Sequence, residues 1–147
     1  MSILEKISSD LKVAMKSKDK IRVETLRSLI AQLKNERISQ GKDLSPEQEL
    51  AVLMNAAKKR KEAIDIYEKS SRTDLLDKEK EELEIISEYL PEQLSDEEIE
   101  KTIAEIIERT GAASIKDLGR VMSEAMKELK GKADGKKVQQ IVRSKLA

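Results

Sequence analysis

Three lysines, Lys132, Lys136 and Lys137, crowd a seven-residue stretch from Gly131 to Lys137 that also holds Asp134 and Gly135. The surrounding sequence is Leu129-Lys130-Gly131-Lys132-Ala133-Asp134-Gly135-Lys136-Lys137-Val138. In it a glycine can close one helix, and an aspartate can cap the first amides of the next. Ammonium groups gathered where free helical amides already favour negative charge are suited to holding an anion such as phosphate. Arg120, on the helix before the turn, can add a guanidinium. A plain turn with solvated lysines has the same composition, so both readings stay open at this point.

Other chemistry is thinly supplied. The 147 residues include no His and no Cys. That removes imidazole acid–base catalysis, Ser-His and Cys-His nucleophile pairs, disulfides, and metal sites built on imidazole or thiolate. Carboxylates remain, and Asp77 with Glu81 and Glu84 with Glu88 are i, i+4 neighbours. They stand among lysines, as a solvated helix face would. Neither glycine-rich nucleotide-binding pattern occurs. No catalytic residue, cofactor or metal is therefore expected. A second basic run, Lys58-Lys59-Arg60-Lys61, wraps more than one turn of helix and reads either as a solvated face or as a secondary anion-binding patch.

The elements that must position these residues are helices. Charged residues make up 39% and aromatic residues 1%, with Gly five times and Pro twice; this composition favours helix over a turn-rich sheet. Ser2 with Glu5 makes a capping box for a first helix ending near Lys18, with Ile3, Leu4, Ile7, Leu11, Ala14 and Met15 as its stripe. Asp19 caps a second, with Val23, Leu26, Ile30, Leu33 and Ile38 inward, and Gly41 closes it. Ser45-Pro46-Glu47 starts a third that runs to about Ser70. A fourth spans about Asp74 to Leu90, where Pro91 forces the preceding residue out of helical geometry. Ser95 with Glu98 caps a fifth, closed by Gly111. Ser114 caps a sixth, which carries Leu118, Val121, Met122, Ala125, Met126 and Leu129. Asp134 caps the last, with Val138, Ile141, Val142 and Leu146 inward. The expected fold is all-α, with a four-helix domain over residues 1–90 and a three-helix domain over 91–147.

Net charge is zero, but it is unevenly spread. Residues 91–110 hold seven acids against two bases, or −5, and residues 111–147 hold nine bases against four acids, or +5. Such separation suits docking at a defined anionic site. Single-stranded RNA is commonly held by aromatic stacking, which Tyr67 and Tyr89 alone cannot supply, so a folded RNA is the better-matched polymer. On this reading Lys132, Lys136, Lys137 and Arg120 contact phosphates while Gly131, Asp134 and Gly135 set the turn. No apolar run is long enough to span a bilayer and no signal peptide is evident, so no membrane partner and a cytoplasmic location are expected.

Three stretches also carry a family resemblance. The connector Tyr89-Leu90-Pro91-Glu92-Gln93-Leu94-Ser95, the helix start Lys116-Asp117-Leu118-Gly119-Arg120-Val121-Met122 and the Gly131-Lys132-Ala133-Asp134-Gly135 turn resemble the YqeY-like proteins of the GatB/YqeY family. The second unit is similar to the tail domain of the B subunit of the glutamine-dependent aspartyl/glutamyl-tRNA amidotransferase. The resemblance implies tRNA as the leading partner, with a protein of the tRNA-charging machinery as another. A protein–protein adaptor is the alternative function. Carbon–nitrogen ligase activity with glutamine as amido donor follows from family analogy alone, without residues to support it.

Overall fold

The computed structural model describes all of residues 1–147. Its helices are α1 (Ile3–Ser17), α2 (Lys20–Gln40), α3 (Pro46–Ser70), α4 (Thr73–Ser87), α5 (Asp96–Thr110), α6 (Leu118–Leu129) and α7 (Gly135–Leu146), with a 3-10 turn at Ile115–Asp117 and no strand. The fold is all-α. Two compact units divide it, Met1–Leu90 and Pro91–Ala147.

The first unit is α1 to α4. The hydroxyl of Ser2, the carboxylate of Asp19 and the hydroxyl of Ser45 accept from amides of the first turns of α1, α2 and α3, and Gly41 ends α2 in the left-handed conformation. Ile7, Leu26, Leu29, Leu33, Leu53 and Ile86 are fully enclosed in its core. Each such side chain contributes roughly 1.5–3 kcal/mol, against about 1 kcal/mol or less for an exposed ion pair, so the aliphatic stripe carries this unit.

Three expectations differ here. Ile38 is 75% exposed and Met15 49% exposed. Helix α2 has 21 residues against 15 in α1; joined by a short turn, it outruns α1 by six residues, about 9 Å, and Ile38 sits on the overhang. Met15 follows the buried Ala14 by one residue, which turns it about 100° away from the core. Helix α4 stops at Ser87 rather than Leu90, because the amides of Glu88, Tyr89 and Leu90 bond to the carbonyls of Ile85, Ile86 and Ser87, tightening the chain ahead of Pro91.

A buried carboxylate holds the first unit's start. Glu49, on the first turn of α3 and 4% exposed, accepts from the amides of Leu4 at 2.9 Å and Ile3 at 3.4 Å. It therefore satisfies the free end of α1 from a different helix. At the unit's other end, the Tyr89 hydroxyl donates to Asp10 at 2.5 Å and the Lys6 ammonium lies 5.5 Å from the Tyr89 ring centre. Burial, then the Asp10 carboxylate, pushes the Tyr89 hydroxyl well above its ordinary ionisation range.

The second unit is α5 to α7. Ile99, Ile103, Ile106, Val121, Ala125, Leu129, Val138 and Val142 form its core. Ser95 and Glu98 make the capping box of α5, and Gly111 closes that helix. Ser114 caps the 3-10 turn that leads into α6, not α6 itself.

Candidate nucleic-acid interface

The turn between α6 and α7 is built from the last residues of α6 outward. After Leu129 the chain leaves the helix at Lys130, with φ −58° and ψ 126°, and Gly131 takes φ +77°. The Lys132 amide then donates to the Leu129 carbonyl at 2.9 Å. Together these make a type II turn, whose third position needs the positive φ that glycine reaches without strain. Gly131 thus serves the turn after the helix rather than the helix end itself. Gly135 differs: it opens α7 without a positive φ, and a Cβ placed there would meet Met126 Cε at 3.6 Å, an ordinary contact. Only one of the two glycines is needed for the bend.

Asp134 caps α7, its carboxylate accepting from the Lys136 amide at 3.2 Å. The connector braces the turn from the other side. Gln93 Nε2 donates to the Gly131 carbonyl at 2.7 Å and to the Pro91 carbonyl at 2.8 Å, and the Leu94 amide donates to the Lys132 carbonyl at 3.0 Å. Ala133 is buried beneath. The Pro91–Ser95 stretch and the Gly131–Gly135 turn, far apart in sequence, therefore form one hydrogen-bonded piece.

The four cations singled out in the sequence do not share one hollow. Lys132 and Lys136 are exposed and carry no ion pair. Lys137 turns the other way, its ammonium 2.5 Å from Asp96 at the start of α5. Arg120 is held at 3.2 Å by Asp117, and eleven residues of rise, about 16 Å, separate it from Gly131. Asp117 is itself fixed by the amides of Ala113 at 2.9 Å and Ser114 at 3.3 Å, which hold its carboxyl below the usual range. A cation the sequence reading passed over falls in line instead: Lys136, Gln140 and Arg143 stand at i, i+4 and i+7 on the exposed side of α7. The outward positive row on α7 is thus Lys136 and Arg143, about 10 Å apart along the helix, with Lys132 exposed in the turn before it.

The second basic run is broken up by helical geometry. Arg60 points at α4, with its Nε 2.9 Å from Glu82 and 3.6 Å from Glu79. Lys59 and Lys61 are exposed, and Lys58 is partly buried. Burial, then the neighbouring Glu82, raises the Glu79 carboxyl above its ordinary range, and its Oε2 accepts no hydrogen bond. Consecutive helical residues point about 100° apart, so a run of four cannot face one ligand.

No helix is long and apolar enough to cross a membrane. Residues 4–146 match the family described as Yqey-like protein. Among curated relatives, the chain is 39% identical over 85 residues to the protein named Altered inheritance of mitochondria protein 41, mitochondrial, of Lachancea thermotolerans, covering 57% of this chain and 46% of that one. It is 31% identical over 120 residues to the protein of the same name in Vanderwaltozyma polyspora, covering 76% and 64%. To the one in Pyrenophora tritici-repentis it is 26% identical over 151 residues, covering 97% and 82%. The chain thus spans about half to two thirds of the length of the first two.

Proposed function

The chain belongs to the YqeY-like family, and from that premise we propose that it is a non-catalytic helical module that binds tRNA or another folded RNA through phosphate and shape contacts. The observation that carries this reading is the outward row on α7 with Lys132 in the turn before it. Lys132 and Lys136 have no acidic partner, they flank a turn braced by Gln93 and Leu94, and Arg143 continues the row from Lys136. Fixed cations on a rigid helix neutralise backbone phosphates without reading bases, and a surface without aromatic side chains fits a folded rather than an unstacked strand. The similarity of the second unit to the amidotransferase tail supports tRNA among folded RNAs. Lys137 and Arg120 drop to minor roles, since each is held by an aspartate.

The reading assigns no amide transfer, and glutaminase and tRNA-dependent amidation assays on the pure chain are expected to give no turnover. It needs a compartment that contains RNA; the cytoplasm is the one we assign, while the curated relatives bear a mitochondrial designation in their names.

A tRNA gel-shift titration at rising salt tests the proposal. Each phosphate contact contributes a slope of roughly 0.7 to 0.9 in log K against log salt, so K132Q/K136Q should flatten the dependence by about 1.5. K137Q should change it by less than half a contact. Equal slopes for the wild type and the double variant would remove the site.

A further inference from the structure

The corner between α1 and α2 gathers Lys12, Lys16, Lys18 and Lys20 within nine residues, all exposed and none in an ion pair. Lys12 and Lys16 are one helical turn apart on the outward side of α1. Lys18 takes the left-handed conformation that ends α1, and Lys20 opens α2. The acids nearby are engaged elsewhere. Asp19 accepts from the Arg22 amide at 3.2 Å, Asp10 accepts from Tyr89, Glu88 pairs with Arg22 at 2.8 Å, and Glu24 faces Lys78 at 3.9 Å. Four lysines against the one carboxylate of Asp19 leave this corner at +3, in contrast to the α3 run, where Arg60 is spent on α4.

We propose that the α1–α2 corner of the first unit is a contact for the phosphate backbone of folded RNA, a site separate from the α7 row. The inference rests on the RNA-binding reading above and extends it to a surface that reading does not use. All four cations are lysines, whose compact ammonium groups meet phosphate oxygens as point charges. Two features favour a folded polynucleotide over other anionic partners. An anionic membrane would need a continuous apolar face beside the lysines. The two exposed apolar residues, Val13 and Met15, are two positions apart on a helix and diverge by about 160°. The left-handed turn at Lys18 also fixes the angle between the two helix ends, so the charges hold their spacing as shape recognition requires.

The test uses the full chain and a tRNA transcript. K12Q/K16Q/K18Q should lower the salt slope by about 2 and weaken binding more than tenfold at about 0.1 M salt. K59Q/K61Q, with two exposed lysines removed elsewhere on the same unit, should lower the slope by less than half a contact. Adding the corner substitutions to K132Q/K136Q should reduce the slope by the sum of the two. Circular dichroism should give unchanged helicity for every variant. If the wild type binds tRNA and the corner variant keeps its slope, the corner is overturned while the α7 site survives. If the wild type binds no tRNA even at low salt, both fall. Loss of binding to phosphatidylserine vesicles or to polyglutamate, with tRNA binding intact, would overturn the assignment in favour of a membrane or an acidic protein.

Discussion

Replacing Glu49 with alanine should destabilise the first unit by about 3 kcal/mol, a large effect for a residue that neither binds a ligand nor fills an aliphatic core. Its carboxylate is 4% exposed and receives the amides of Leu4 at 2.9 Å and Ile3 at 3.4 Å. Only the shorter bond is of full strength. A hydrogen bond to a charged group contributes about 1.5–3 kcal/mol, and a partly buried amide left without an acceptor costs about 1–3 more. For a unit of this size, 3 kcal/mol lowers the melting temperature by more than about 10 °C. E49Q keeps one carbonyl oxygen for Leu4 but loses the charge at the helix start, so about half the effect is expected. Tyr67 and Tyr89, the chain's two tyrosines, both lie in the first unit. Tyrosine fluorescence during urea unfolding therefore reports that unit alone. Amide exchange at Ile3 and Leu4 should accelerate in E49A while α7 is unchanged. The control is E5A, an exposed glutamate at the same helix start. Should E49A and E5A unfold within about 0.5 kcal/mol of each other, the cross-helix cap has no energetic content.

Two further outcomes follow from local geometry. G131A should cost about 1–2 kcal/mol, since φ +77° strains any residue with a Cβ, whereas G135A should be neutral or stabilising by up to about 1 kcal/mol, as read by thermal unfolding of the second unit followed by circular dichroism. E79Q should leave the first unit at least as stable as the wild type at pH 7. The folded-state pKa of Glu79 is raised, so its protonated form is favoured by folding; that benefit is present below the ordinary glutamate range and lost as pH rises through the raised value. The advantage of the glutamine should therefore shrink on acidification from pH 7 to pH 4. An advantage that grows on acidification would contradict the burial argument.

What was legible in the chain is what depends on near neighbours. Ser2, Asp19, Ser45 and Ser95 cap helices because a short polar side chain reaches an amide two or three residues on, an interaction written within four letters. Gly41 and Gly111 end helices for an equally local reason. Contacts that cross helices were not legible. Glu49 reads as one more acid in the first turn of α3, although it closes α1 across 45 positions. Lys137 reads as a companion of Lys136, yet one residue of helical rotation brings it to Asp96. The exposure of Ile38 depends on where α1 stops being available to cover it, which the periodicity of α2 alone does not contain. At the candidate interface the cluster of lysines was readable, and the selection among them was not. That selection also brought in Arg143, which lies outside the motif.

The hydrogen bonds from Gln93 and Leu94 to the carbonyls of Gly131 and Lys132 also decide where a free-standing second unit must begin. A fragment cut at the first residue of α5 would keep every fully buried aliphatic of that core but lose Leu94, which packs against it, and the strap over its own lysine-bearing loop. Expressed from Pro91, the piece retains that strap, and polyanion affinity compared between the two lengths separates the worth of the charges from the worth of their rigidity.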